Sequence, residues 1–298
     1  MTKRYQAGDG VNFEYNPSDG SVKLYSNNGT LWPDWLEKAG IDRWKVESIS
    51  VAKGVVKLPE NAIGYDELTN KSVMFGGLTN LSFIDLNGFD TSMVTNMYGM
   101  FNCCHGLTSI NLSNLNTSRV KDMSFMFRNC YMLKSLDLSS FDTSMVTNMM
   151  CIFDRCNSLK SLDLKSFDTS RTTNMEGMFY ECRNLETLNI NHFDTSKVTN
   201  MTGMFGKCCK LTTLNLDGLD TSRVTYMGQM FRGCTNLLIL DLSSFNTSRV
   251  KDMNNMFADC WSLRRIYINP IAISNADTCN IFADCSAEII WNGEKAAL

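Results

Sequence analysis

Histidine is almost missing from this 298-residue chain, which has only His105 and His192. Neither stands in a spacing that would make a Ser-His-Asp or Cys-His arrangement. No glycine loop suited to cradling phosphate is present either, so an enzymatic reading lacks its constellation. Long apolar runs are missing too: no stretch approaches the about 18 residues that a membrane-spanning helix needs. Charge of one sign is scarce, with 28 Lys and Arg against 31 Asp and Glu and a net charge of −3. That balance gives no electrostatic reason to expect a nucleic-acid partner. The opening residues 1–10 contain no apolar h-region, and the closing residues 292–298 show no anchor.

What is present is repetition. Asp/Asn-Thr-Ser recurs at Asp90, Asn116, Asp142, Asp168, Asp194, Asp220 and Asn246, always 26 residues apart. A fixed period of this length marks a stack of repeated units. Counting from Leu81 as position 1, Leu81 through Leu263 fill position 1. Position 4 runs from Ile84 to Ile266 and position 6 from Leu86 to Ile268. The alternation at 4 and 6 predicts a short strand with one buried face. Phe or Leu follows at position 9. Val94, Met97, Phe101 and Cys104 then fall at i, i+3, i+7 and i+10, which predicts a short amphipathic helix. Asp-Thr-Ser would supply the turn and the cap before it. One such unit cannot bury its own apolar face, so neighbouring units must stack. The expected fold class is an α/β solenoid, a leucine-rich-repeat-type stack of strand–turn–short helix units with a parallel sheet and atypical end caps. About ten rungs would extend roughly 45 Å along the stack.

The ends depart from the template. Val11–Tyr15 and Ser21–Tyr25, joined through Pro17-Ser-Asp-Gly20, predict a hairpin. Trp32–Gly40 predicts a short helix with Pro near its start and Gly at its end. The array then begins with Val46-Glu-Ser-Ile49-Ser-Val51, carries an insertion around Lys53–Asn70, and regains the pattern at Met74-Phe75. Glu288–Trp291 can supply a last rung. The expected division is an N-terminal cap over 1–45, a repeat array over 46–285 and a C-terminal cap over 286–298.

Seven of the 12 cysteines occupy position 24, from Cys104 to Cys260. Stacked copies would stand about 4.8 Å apart, wider than the about 3.8 Å between Cβ atoms in a disulfide. The column therefore reads as a file of buried thiols, and a straight file cannot surround zinc tetrahedrally. The Met columns at positions 17 and 20 read as core filling. No cofactor is expected.

The unit Leu-Lys-Ser-Leu-Asp-Leu-Ser-Ser-Phe-Asp-Thr-Ser-Met-Val-Thr-Asn-Met (133–149) resembles the 26-residue repeat of BspA-like bacterial surface proteins, a branch of the leucine-rich repeats. The likeness covers about 46–291. It implies a surface-displayed, adhesive or protein-binding array with no catalytic residues to carry over. Family likeness points to the cell surface or to secretion; without a signal or anchor in the sequence, cytoplasmic and virion-associated settings stay open.

Positions that copy the repeat are explained by stacking, so exposed positions that break it are the candidate site. Exposed strand positions are mostly Ser, Thr, Asn and Asp until Leu238, Ile239, Arg264, Arg265 and Tyr267, with Trp261 just before and Phe83 as a counterpart at the other end. Arg and aromatic side chains dominate interface energetics; the alternative is that these residues meet the C-terminal cap. Two polar columns read as structural. Position 5 holds an Asp/Asn ladder in which only Asp137 and Asp163 are adjacent acids able to share a calcium ion. Position 13 holds Arg119, Arg171, Lys197, Arg223 and Arg249, expected to pair with the nearby carboxylates. The functional expectation is a non-enzymatic, adhesin-like module that binds a protein or glycan. A structural spacer or assembly component, such as a phage virion protein, is the alternative.

Overall fold

The computed structural model describes residues 2–66, 71–72, 74–269, 276–291 and 294–295. The sequence readings that fall on Asn292, Gly293 and 296–298, and on part of the Lys53–Asn70 insertion, lie outside them. Strands β1 (Lys3–Asn16) and β2 (Ser21–Leu31) form the expected antiparallel hairpin. Its inward side chains alternate through Val11, Phe13 and Tyr15, all buried. A single helical turn, α1 (Trp35–Lys38), buries Trp35 edge-on against Phe13 at 4.9 Å between ring centroids. Strand β2 then pairs in parallel with β3 (Ser48–Lys53), which pairs with Phe83–Ile84. The hairpin is thereby joined to the first rung of the array.

Beyond this point the chain winds as a parallel β-solenoid. Position 16 traces it: Asn61, Asn96, Asp122, Asn148, Asn174, Asn200, Tyr226, Asp252 and Asp277 are bridged in parallel, each to the next. Side-chain-capped turns bend the rungs at up to three places. Where positions 5, 10 and 16 hold Asp or Asn, the side-chain oxygen accepts the amide two residues on; Tyr226 at position 16 and Tyr267 at position 5 are departures. In one rung these are Asp137 to Ser139, Asp142 to Ser144 and Asn148 to Met150. This is the Asx turn, the local bond for which Asp and Asn are favoured. The fixed spacing of Asp/Asn-Thr-Ser has a second cause in the threonine. The Thr117 hydroxyl donates to the Asp142 carbonyl and accepts the Asp142 amide, at 2.9 Å each, which ties one rung to the next.

The expected amphipathic helix is absent. Between positions 17 and 23 alternate amides leave their own rung and donate to the next one. Met123, Phe125, Phe127 and Asn129 donate to the carbonyls of Asn148, Met150, Ile152 and Asp154. The intervening Met126, Arg128 and Cys130 amides close turns onto the carbonyls three residues back. Phe125 and Asn129 both hold φ near +59°, and such left-handed residues interrupt a right-handed helix. A four-residue turn that repeats places side chains at nearly the same spacing as a helix, so the sequence pattern could not separate the two. The continuous inter-rung ladder consequently runs on this turn side. Regular strands on the opposite face are short, as in Ser161–Leu162 against Thr187–Leu188. They lengthen at the C-terminal end, where Ile239–Leu242, Arg265–Ile268 and Glu288–Trp291 lie side by side.

The core sits inside the coil as columns of like residues. Nine phenylalanine rings from Phe75 to Phe282 stack at 5.3–6.1 Å and within 2–14° of parallel. The position-24 cysteines are free and buried. Each thiol donates to the position-21 carbonyl of the preceding rung, Cys156 to Phe127 at 3.1 Å for example. Burial pushes Cys104 and Cys260 up to about 12, so these sulfurs remain protonated thiols.

Candidate functional site

The strand-face residues that break the repeat come together at the C-terminal end. Leu238 and Ile239 are 44% and 51% exposed and Trp261 is 68% exposed, a concentration of apolar surface where the preceding rungs hold Lys160 and Ser161, Glu186 and Thr187, or Thr212 and Thr213. The next rung places Arg265 in register with Ile239, while the Arg264 amide donates to the Leu238 carbonyl at 2.9 Å. The rung after that places Glu288 in register with Arg265, its carboxylate 3.9 Å from the Arg265 Nε. Leu238, Ile239, Trp261, Arg264, Arg265 and Glu288 line one concavity of about 840 Å³. Tyr267 belongs to the same strand but is half-buried opposite Ile290, outside that lining. Phe83 is 57% exposed and lies at the other end of the array, in register with Ser48. It does not join the cluster.

Asp or Asn holds position 5 from Asp85 to Asp241 and accepts the amide two residues on, as Asp241 does from Ser243, whereas Tyr267 holds it in the last full unit. Arg265–Ile268 and the preceding Ile239–Leu242 both run four residues, paired in register.

The other candidates have local partners. Asp137 and Asp163 each use an oxygen to cap their own turn, and among the described residues no group of three or more His, Cys, Asp or Glu is placed to hold a metal ion. Among the described residues the position-13 cations make none of the expected contact ion pairs, although the charges of Arg171 and Lys197 still help to lower Asp168 and Asp194. Arg119 and Arg171 instead reach back to the sulfurs of Met93 and Met145 at 3.4 and 3.1 Å. His105 stacks on Tyr131 at 4.8 Å, and burial lowers its pKa. The His192 Nε2 donates to the Leu164 carbonyl at 2.9 Å.

One charged cluster on the turn side was not foreseen. The Arg128 Nε lies 2.7 Å from the Asp154 carboxylate, which is nearly buried, while Glu181 meets Arg155, Arg183 and Lys207 at 3.6, 2.9 and 2.8 Å. Burial raises the pKa of Asp154 against the pull of Arg128. Burial also pushes Glu181 upward, but its hydrogen bonds to Lys207 and Arg183 outweigh that and leave it lowered. The readable signal was at positions 22 and 23, where Arg128, Asp154, Arg155, Glu181 and Lys207 alternate in sign between adjacent units.

Two overlapping stretches, 69–188 and 173–287, match the family model described as "Mycoplasma protein of unknown function, DUF285". The chain belongs to the DUF285 family. The matched stretches take in every unit of the array from Leu81 onward, so the DUF285 model corresponds to the solenoid and not to the hairpin cap. No curated protein matches the sequence. Among solved structures, a leucine-rich-repeat protein of Leptospira interrogans, LIC12759, is 12% identical and covers 83% of this chain and 79% of its own, with a TM-score of 0.21. A score that low carries no weight for the fold of this DUF285 protein, which rests on its own hydrogen-bond ladder.

Proposed function

We propose that this DUF285 chain is a non-enzymatic recognition module that holds a protein or glycan ligand against the C-terminal end of its strand face. One observation carries the reading: Leu238, Ile239, Trp261, Arg264 and Arg265, which depart from the repeat, line a single concavity. Stacking asks each position to copy its neighbours, so exposed side chains that abandon the pattern and converge call for another cause. Arg and aromatic anchors in a preformed hollow are what binding requires. The likeness to BspA-like surface proteins supports an adhesin-like role at a cell surface. A rigid spacer or assembly part, such as a virion component, is the second reading, and the unbroken turn-side ladder favours it.

Protein and glycan arrays probed with the intact chain supply ligands for the test. Ile239→Ala and Arg265→Ala are each expected to weaken binding by about 1–2 kcal/mol, with Thr187→Ala in the middle of the array having little effect. Thermal unfolding of the same variants removes the cap explanation, under which stability would fall and affinity, corrected for the folded fraction, would not. Unchanged affinity in both end variants would sink the site.

A further inference from the structure

We infer that the ligand of this patch is an acidic peptide segment carrying a large apolar side chain, an inference that rests on the recognition reading above. The patch is ordered by charge along the stack. Leu238 and Ile239 expose apolar surface on one rung, Arg264 and Arg265 follow on the next, and Glu288 follows on the third. In the middle of the array the matching positions hold Lys134 and Ser135, or Lys160 and Ser161. Two guanidiniums here face one carboxylate. Arg265 has Glu288 at 3.9 Å, whereas Arg264 is exposed and has no ion pair or side-chain hydrogen bond among the described residues. The lining of the concavity thus carries two guanidiniums against one carboxylate, with the exposed Asp241 two residues beyond Ile239 outside it.

Glu288 shows how a carboxylate reaches this file of arginines, by standing in register one rung along. A ligand carboxylate on Arg264 would repeat that geometry with the planar donor fork for which Arg is suited. Its apolar neighbour would cover Leu238, Ile239 and Trp261. Rungs stand about 4.8 Å apart, a step that adjacent or alternate residues of an extended peptide span at about 3.4 Å per residue. A neutral glycan would complement the polar rim but leave the aliphatic pair without an apolar partner. The backbone under the patch is already fixed by the Arg264 amide on the Leu238 carbonyl and the Glu288 amide on the Arg264 carbonyl, at 2.9 and 2.8 Å. Binding then needs no backbone rearrangement on the protein's side, only the ordering of the Arg264 and Trp261 side chains.

The test is selection of a random peptide library on the immobilised intact chain, followed by fluorescence anisotropy with the enriched peptides. The expected result is enrichment of Asp or Glu close to Leu, Phe or Trp. Affinity should weaken as salt screens the exposed charges. Arg264→Glu should lower it by about tenfold or more without changing the unfolding temperature. Peptides without acidic enrichment, or acidic peptides that bind the Arg264→Glu variant as well as the original chain, overturn the inference. A glycan whose binding falls with Trp261→Ala but not with Arg264→Glu overturns the peptide assignment and leaves the recognition reading standing. If no ligand responds to any change in the patch, both fall.

Discussion

Gln229 occupies a backbone position that the sequence disguised. Its φ is near +58°, and the equivalent residues Gly99, Gly177 and Gly203 are at +57 to +61°. Some units thus meet the left-handed requirement with glycine, while Phe125, Cys151 and Gln229 meet it against the steric preference of an L-residue. The two descriptions of this segment make opposite forecasts for one substitution. In a helix interior a new glycine costs up to about 1 kcal/mol. At a left-handed turn position glycine relieves strain, and the gain, net of added unfolded-state entropy, is about 0.5 kcal/mol. Gln229→Gly is therefore expected to raise the midpoint of denaturant unfolding slightly. A loss near 1 kcal/mol would restore the helix.

At the scale of the element, the corner turn explains both what the sequence revealed and what it hid. Columns of Leu, Met, Phe and Cys were legible because each side chain packs on its own copy, and identity at a fixed period can be read without geometry. The turn side was misread because Val94, Met97, Phe101 and Cys104 keep one face inward whether the chain makes a helix or a chain of turns. The position-13 cations were misplaced because spacing in sequence does not fix where a long side chain lies; Arg119 and Arg171 reach Met93 and Met145, while the motif carboxylates bond their own turn amides, as Asp168 does that of Ser170 at 2.9 Å. The C-terminal cluster could be picked out as a break in the pattern, with Phe83 already at the other end of the array, but the partial burial of Tyr267 needed coordinates. The same commitment of carboxylates gives the turns a pH signature. Hydrogen bonds from the Ser two residues on, first through its hydroxyl and then its amide, lower the pKa of Asp168, Asp194 and Asp220. A folded-state pKa below the unfolded value of about 3.9 stabilises above that value, and the benefit is lost as pH falls through the folded-state pKa. The triple change Asp168→Asn, Asp194→Asn and Asp220→Asn should flatten the acid limb of the stability curve and preserve the fold. Asn116 and Asn246 already make the same bond to the amides of Ser118 and Ser248. An acid limb as steep as that of the original chain would show that these turns contribute nothing to it.

For the whole molecule, stability is a sum over interfaces between neighbouring rungs. Phe153 sits in the middle of the ring stack, 6.1 Å from Phe127 and 5.9 Å from Phe179. Replacing it with Ala opens a cavity between rungs and should cost about 3–5 kcal/mol in equilibrium unfolding. Ser161→Ala, on the exposed face, should cost under about 0.5 kcal/mol. Equal losses would mean that inside and outside have been exchanged. The ladder on the turn side has a mechanical consequence as well. Tension applied to the two ends of the solenoid passes through the rungs in series, because each rung is bonded only to the one before and the one after. The weakest interface yields first, and every rung that detaches pays out one repeat of slack chain, about 90 Å when drawn straight. Such a molecule behaves less like a rod that snaps than like a brake that gives way in equal steps, lengthening many times over while its remaining coils stay wound.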